Sequence, residues 1–190
     1  MEMMFAIMGW NLVALLTLMF IGWVISLIFQ NVTIVDTLWG LGFIIVAWIT
    51  FSLGQGYELR KGLMAVLTTL WGLRLAGHLS WRNWGAGEDS RYGSWRKASG
   101  ERFWIVSLFK IFVLQAVFLW VISLALQLGQ LSPVPGHLVW LDVLGFSIWL
   151  LGFLLESISD FQLVRFKANP ENKHLPNMKY VQIKNIIDYE

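Results

Sequence analysis

The sequence predicts an all-α fold, a multi-pass transmembrane helical bundle of about five spans followed by a cytoplasmic tail. Hydrophobic residues make up 57% of the 190-residue chain, above the roughly half that is usual in soluble domains. Five apolar stretches meet or approach the roughly 17–25 residues that a helix needs to cross the hydrocarbon core. Only closed hydrogen-bond systems span lipid, and for runs of this length that means helices.

The five predicted spans are residues 3–29, 37–53, 63–81, 103–128 and 138–158. The first is too long for a signal-peptide core and has no small-residue cleavage pattern before Gln30, so we expect it to be retained. Glycines and prolines separate the later spans, which predicts short connections and antiparallel neighbours. We take residues 1–168 as one membrane domain and 169–190 as a polar, divergent tail.

Composition excludes several functional classes. The chain has no cysteine, which excludes disulfides, thiolate nucleophiles and cysteine metal sites. The three histidines show no metal-ligand spacing, so no metal site is predicted. The net charge of +2 comes with no basic stripe on a soluble fold, and nucleic acid is not an expected partner.

Lys and Arg are distributed unevenly between the two predicted sides of the membrane. The side with the 30–36 loop, the 82–102 loop and the tail carries ten of them, and the other side carries Arg60 and Lys61. Because positively charged short loops stay in the cytoplasm, the N-terminus is predicted to face out and the C-terminus to be cytoplasmic.

A first group of polar residues recurs every four positions in the third span. Arg74, His78 and Arg82 therefore share one helix face that descends to the cytoplasmic mouth. Charged groups inside a span are costly, which makes them functional candidates. Taken singly, Arg82 is better explained as a helix-end anchor and His78 as an interfacial histidine, but the three together favour a functional role.

Asp36 begins the second span on the same predicted side. It is interpreted either as a helix N-cap, which accepts hydrogen bonds from free backbone N–H groups, or as a catalytic group. The 82–102 loop on that side mixes charges, an aromatic ring and glycines, which suits a plain solvated loop or equally a lid or phosphate contact. Its charged and aromatic candidates are Glu88, Asp89, Arg91 and Tyr92.

A second group of polar residues lies at the end of the fifth span. It consists of Glu156, Asp160, Gln162, Arg165 and Lys167. Carboxylates can bind ribose hydroxyls and cations can bind phosphates, so the group suits a nucleotide cofactor. By charge pattern alone, a salt-bridged helix end is the simpler explanation.

Several runs resemble an uncharacterised bacterial membrane family that is grouped with the steroid 5-alpha-reductase-like proteins. They are Val35-Asp-Thr-Leu-Trp-Gly-Leu-Gly-Phe, Leu70-Trp-Gly-Leu-Arg-Leu-Ala-Gly-His-Leu, Arg82-Asn with Glu88-Asp-Ser-Arg-Tyr, and the run from Glu156 through Phe-Lys-Ala-Asn-Pro. The resemblance covers residues 30–173. It implies a bacterial inner-membrane reductase that moves hydride from NADPH to the activated carbon–carbon double bond of a lipophilic enone.

The resemblance also implies roles for particular residues. Glu156, Asp160 and Lys167 would help to hold NADPH, with Gln162 and Arg165 beside them. Asp36, His78 or Tyr92 would hydrogen-bond the substrate carbonyl, because hydride addition builds negative charge on that oxygen. Substrate or lid contacts would come from Arg74, Arg82, Asp89 and Arg91. The expected partners are membrane lipid and a lipophilic small molecule.

The resemblance ends after Lys173, where the family continues with a Gly-Leu-(Trp)-Arg-Tyr-x-Arg-His-Pro-Asn-Tyr segment and further apolar helices. This chain has neither, so it is expected to be a C-terminally truncated member that has lost activity. Two alternatives stay open. One is a non-catalytic membrane protein, and the other is an enzyme like the isoprenylcysteine methyltransferases, which use S-adenosylmethionine.

Overall fold

The computed structural model describes residues 1–85 and 87–169, and within them it confirms an all-helical fold. The helices are α1 (Glu2–Phe29), α2 (Ile34–Leu53), α3 (Glu58–Asn83), α4 (Ser90–Ser99), α5 (Phe103–Ser107), α6 (Leu114–Leu131) and α7 (Trp140–Ala168). A 3₁₀ turn, Gly100–Arg102, joins α4 to α5, and a π-helix, Leu108–Val113, joins α5 to α6. The predicted tail from residue 170 onward lies outside the described residues.

Four helical segments of the described chain are long and apolar enough to cross a membrane. They cover residues 2–29, 34–53, 90–131 and 140–166, which agree with the first, second, fourth and fifth predicted spans. The third predicted span lies in α3, whose 26 residues are long enough. Its basic residues, Arg60, Lys61, Arg74 and Arg82, explain why it is the least apolar of the five long helices.

α3 nevertheless packs closely along α2. A Cβ atom on Gly40 would lie 2.3 Å from the Gly72 carbonyl oxygen, and one on Gly72 would lie 2.6 Å from the Gly40 oxygen. Such contacts bring two backbones together, as small residues do in membrane helix pairs. Two side-chain hydrogen bonds reinforce the pair, from Trp48 Nε1 to Thr69 Oγ1 at 2.9 Å and from Ser80 Oγ to Thr37 Oγ1 at 3.3 Å.

The connections between helices gather at two ends of the bundle. At the first, here called the Thr33 end, the backbone N–H of Asp89 donates to Thr33 Oγ1 at 2.9 Å. At the second, the Pro135 end, Arg60 Nη2 donates to the carbonyl oxygens of Pro135 at 3.2 Å and His137 at 3.0 Å. The 30–33 and 84–102 segments therefore share one end, as the loop assignment predicted, and α3 runs from one end to the other.

The core of this first unit, residues 1–140, lies between α1, α2, α4, α5, the π-helix and α6. Its fully buried side chains include Leu15, Val35, Val46, Phe112 and Leu119. The second unit comprises residues 141–190. Its described part is nearly all of α7, a helix of 29 residues that begins at Trp140 and ends in the polar run from Glu156.

Candidate functional site

The candidate site lies at the Thr33 end, and its first residue is Asp36. α2 begins at Ile34 with Thr33 in the N-cap position, so the predicted capping role of Asp36 is wrong. The carboxylate lies in the first helical turn instead, where the helix dipole stabilises negative charge. Its side chain is only 18% exposed, and Oδ1 accepts a hydrogen bond of 3.0 Å from the Tyr92 hydroxyl.

Tyr92 is the only residue of α4 that is fully buried, with 4% of its surface exposed. Its ring packs in the hydrophobic core, and its edge meets Trp95 with 5.9 Å between ring centroids. The hydroxyl also accepts a long hydrogen bond of 3.5 Å from Gln115 Nε2 on α6. Gln115 is held in turn by the indole N–H of Trp39 on α2. Three helices therefore fix the position of the Tyr92–Asp36 pair.

Asp89 and Arg91 form a second layer around this pair. The Asp89 side chain caps α4 by accepting a bond of 2.9 Å from the Arg91 backbone N–H. The Arg91 guanidinium donates to both Asp89 oxygens, at 3.0 and 3.2 Å, and this lowers the pKa of Asp89, with a smaller contribution from the Arg82 charge. Arg91 Nη2 also lies 3.9 Å from Asp36 Oδ2. One cation therefore bridges two carboxylates.

A group of four residues, here called the Glu88 clamp, ties α4 to the connection between α1 and α2. Arg96 donates to both oxygens of Glu88, at 2.8 and 2.7 Å, and Glu88 Oε1 also accepts the Val32 backbone N–H at 3.1 Å. Arg96 Nη2 reaches the Gln30 carbonyl oxygen at 3.3 Å. The hydrogen bonds from Arg96 are the main reason that the pKa of Glu88 lies below its usual value of 4.5.

The site differs from the sequence-based prediction in one main respect. Residues 90–99, predicted to be part of a loop, form α4. Asp89 followed by Tyr92 and Trp95 at helical spacing is the signal that predicts this helix, because a capping carboxylate and an apolar stripe mark a helix start. Sequence reasoning also missed Arg96, Gln115 and Trp39, and the two on α6 and α2 carry no local signal.

The stripe of basic residues on α3 lies partly at the same end. Arg74 and His78 are half-buried, whereas Arg82 is exposed and donates to Asn83 Oδ1 at 3.2 Å. The charge of Arg82 acts on Asp89, so this residue lies within electrostatic reach of the site. The His78 ring packs beside Trp81, with centroids 6.5 Å apart. The structure thus brings Asp36, Tyr92, Asp89 and Arg91 into direct contact and places Arg82 nearby.

The predicted cofactor residues all lie in α7, within the second unit. Glu156 and Asp160 are half-buried and one turn apart, while Gln162 and Arg165 are exposed. The Arg165 guanidinium lies 5.6 Å from the Phe161 ring centroid, and Lys167 belongs to the same helix. Two carboxylates and two cations within three turns have the chemistry that the ribose and phosphates of a dinucleotide require. By residue type, the group fits NADPH.

We find no set of candidate metal ligands in the part of the chain that the structure describes. No group of three His, Asp or Glu residues there is placed to hold an ion. What the Thr33 end does offer is a neutral O–H donor beside a carboxylate that a guanidinium partly balances. Once its bond to Asp36 opens, such a hydroxyl can donate a hydrogen bond to an oxygen that gains charge, and the pair can also pass a proton.

Comparison with known protein families gives a match over most of the chain. The model of a family described as "Protein of unknown function (DUF1295)" matches residues 22–179, a range that includes every residue of the site and of the α7 group. No curated protein and no solved structure matches the chain.

Proposed function

The chain belongs to DUF1295, a family of proteins of unknown function. From that premise we propose that it is an integral membrane reductase of lipophilic enones that uses NADPH, in contrast to the loss of activity that the sequence led us to expect. The observation that carries the proposal is the buried Tyr92 hydroxyl, held at 3.0 Å from Asp36 at one end of a membrane bundle. The resemblance of the sequence to the steroid 5-alpha-reductase-like proteins supplies the reaction class.

Reduction of an enone by hydride transfer requires a hydrogen-bond donor at the carbonyl oxygen of the substrate. When hydride adds to the β-carbon of an enone, negative charge develops on the carbonyl oxygen. A neutral hydroxyl fixed in a site with little water stabilises that charge without having to reorganise. The hydroxyl has one proton, which it donates to Asp36 in this structure, so that bond must open before the proton can turn to the substrate oxygen. Gln115, held by Trp39, would keep the Tyr92 oxygen in place while it does so.

Access to Tyr92 requires α4 to move, since the side chain is 4% exposed. Gly100, which ends α4, has φ +53°, a conformation that glycine adopts without the steric cost of a Cβ, so we propose this residue as the hinge of the movement. α4 would thus act as the lid that the charged 82–102 segment suggested, and the Glu88 clamp would hold it closed.

The cofactor role falls to α7. Glu156 and Asp160 would bind ribose hydroxyls, and Arg165 and Lys167 would bind phosphates, with Gln162 as a further amide contact. NADPH, when bound, supplies the hydride. Because the basic residues of the 82–102 segment and of the α7 end favour the cytoplasm, where NADPH is found, we place the Thr33 end on that side and the N-terminus outside.

The first test is NADPH binding to the detergent-purified chain, measured by calorimetry. Asp160→Ala should lower the affinity by at least about tenfold, the loss expected from a charged hydrogen-bonding partner. Asp142→Ala is the matched control, because it removes a carboxylate from the other end of the same helix. S-adenosylmethionine is titrated in parallel, and saturable binding of that compound alone would support the methyltransferase alternative instead.

The second test is turnover of a 3-oxo-4-ene steroid as the enone probe. Tyr92→Phe should lower the rate by about 10²- to 10³-fold, the usual cost of removing one oxyanion donor, and leave NADPH affinity unchanged. Tyr57→Phe removes a hydroxyl at the Pro135 end and should have no effect. Binding of neither cofactor would overturn the proposal and leave a non-catalytic membrane protein.

A further inference from the structure

An apolar groove of about 400 Å³ opens on the outside of the first unit, between α1 and the π-helix. Its walls are built by Val13, Leu16 and Phe20 on one side and by Leu108, Phe112 and Val113 on the other. The hydroxyl of Thr17, which also lines it, is already bonded to the Val13 carbonyl oxygen at 2.8 Å. The Thr17 O–H is therefore not available to donate to a ligand in the groove.

The π-helix is the local feature that borders this groove. π-helices are rare, and where they occur they are frequently at functional sites. Ile111 and Phe112 in this segment are fully buried, while Leu108 and Val113 line the groove beside α1. A wider helical turn thus coincides with a concave outer surface.

The walls indicate which kind of molecule fits. Helix pairs in membranes pack through small residues that let the backbones approach, and the groove is walled mostly by Val, Leu, Met and Phe side chains. Val13 and Phe20 are 11 and 18 residues from the start of α1, at the depth of the hydrocarbon core. A single hydrocarbon chain fits this depth and this lining better than another helix does.

The end of the groove nearest the Thr33 end leads to a basic surface. The Phe20 ring contacts the Trp23 ring, and Trp23 Nε1 donates to the Trp104 carbonyl oxygen at 3.0 Å. Arg102 lies two residues before Trp104 and is exposed. Arg91 and Arg96 are neutralised by Asp89 and Glu88, as described above. Exposed Lys97, Arg102 and Lys110 remain, against exposed Glu101, so this surface keeps a net positive charge. Lys110 belongs to the π-helix, and its Nζ lies 4.3 Å from the Trp95 ring centroid.

We propose that this groove binds one acyl chain of an anionic phospholipid, whose phosphate is held at Arg102 between the groove and the membrane surface. The apolar lining selects a hydrocarbon chain, and the adjacent positive charge selects an anionic headgroup. The site lies between α1 and the α5–α6 segment, on the outer surface of the unit, and the proposal holds whether or not the protein reduces enones.

The test uses phosphatidylglycerol with a photoreactive diazirine in its acyl chain, incorporated with the full chain into nanodiscs. After irradiation, mass spectrometry of peptides should place the label on residues 13–20 and 108–113. Val13→Trp should lower that labelling by at least about tenfold, the effect of blocking a site by 1.4 kcal/mol or more. Val121→Trp is the matched control, because Val121 is 50% exposed and Val13 is 52% exposed. Thr17→Phe, a second groove-filling change, gives the same readout if Val13→Trp fails to fold.

The headgroup is tested with the same probe on phosphatidylcholine. Arg102→Gln should remove the preference for phosphatidylglycerol, and Lys97→Gln should retain most of it. Equal losses in both variants would overturn the headgroup assignment. Uniform labelling of all exposed apolar residues, or labelling that survives both groove-filling changes, would overturn the groove. A covalent dimer crosslinked through residues 13–20 would identify a second copy as the occupant and overturn the proposal as well.

Discussion

Glu88→Gln tests whether the Glu88 clamp holds α4 in place. The carboxylate accepts three hydrogen bonds, two from Arg96 and one from the Val32 N–H, and its side chain is 14% exposed. A hydrogen bond to a charged group contributes about 1.5–3 kcal/mol, against about 1 kcal/mol for a neutral one. The amide keeps one acceptor oxygen but turns an N–H₂ group toward the guanidinium.

The expected loss is smaller than the sum of these contributions. Arg96 is 31% exposed and still reaches the Gln30 carbonyl oxygen, so water and that oxygen replace part of the lost interaction. We therefore expect local opening of α4 to become easier by about 1–2 kcal/mol. That change corresponds to roughly 5- to 30-fold faster exchange of the α4 amides and of the Val32 amide.

Hydrogen exchange read by mass spectrometry on the purified chain measures this opening. Glu101→Gln is the control, because Glu101 is an exposed carboxylate next to α4, and it should change exchange by less than about twofold. If Glu88→Gln also changes exchange by less than twofold, the ion pair does not hold α4 and the reasoning fails. Faster exchange over the whole bundle would likewise contradict a local clamp.

The clamp also predicts a dependence on pH. Because Arg96 lowers the pKa of Glu88 below 4.5 in the folded chain, its stabilisation is present above about pH 4.5 and is lost as the pH falls through the folded pKa. After correction for intrinsic rates, opening of α4 should thus be constant from pH 7 to 5 and increase below 4.5. In Glu88→Gln this increase should be smaller, and the part that remains comes from the α4 cap Asp89, whose pKa Arg91 also lowers. Gly40→Ala should lower the free energy of unfolding in detergent by about 1–3 kcal/mol, because the added Cβ would meet the Gly72 carbonyl oxygen. Gly77→Ala is the control and should leave it unchanged, because no atom lies within 4 Å of the point where that Cβ would be. Equal melting temperatures of the two variants would contradict the close contact. Tyr92→Phe should lower the free energy of unfolding by about 1–2 kcal/mol, because it removes the hydrogen bond to Asp36, and Tyr57→Phe should lower it little. Thermal unfolding of the two variants measures this difference, and equal melting temperatures would contradict it. Lys61→Met should lower the free energy of unfolding by about 1–3 kcal/mol, because Lys61 is 5% exposed and donates to the Gly54 carbonyl oxygen. An unchanged melting temperature would show that this buried ammonium does not stabilise the Pro135 end.

The spans were predictable because apolar length depends only on local sequence. Residues 3–29 and 37–53, for instance, fall within α1 and α2. The assignment of each connecting segment to one end of the bundle was also predictable, because successive spans run in opposite directions. α4 was harder to predict, because its ten residues carry charged and polar side chains around one buried Tyr92, and such short helices depend on tertiary contacts.

The site was predictable only in part. Asp36, Tyr92, Asp89 and Arg91 were selected because they lie in short polar segments on one predicted side. The bond from Gln115 to Tyr92 joins residues 23 apart, and that from Trp39 to Gln115 joins residues 76 apart. Nothing in the local pattern of either residue indicates such a partner. The role of α7 toward NADPH remains a prediction.

The close contact between Gly40 and Gly72 has a consequence for biogenesis. α3 is the least apolar of the long helices, and its basic residues oppose transfer into lipid when the helix is alone. A helix that can press its backbone against α2 shields its polar groups from lipid, so we expect α2 and α3 to enter the bilayer together as a helical hairpin. A glycosylation-reporter fusion should then show α3 inserting efficiently behind wild-type α2 and poorly behind α2 with Gly40→Leu, and equal insertion would contradict it. Two glycines without side chains would thus decide whether a charged helix becomes a transmembrane one.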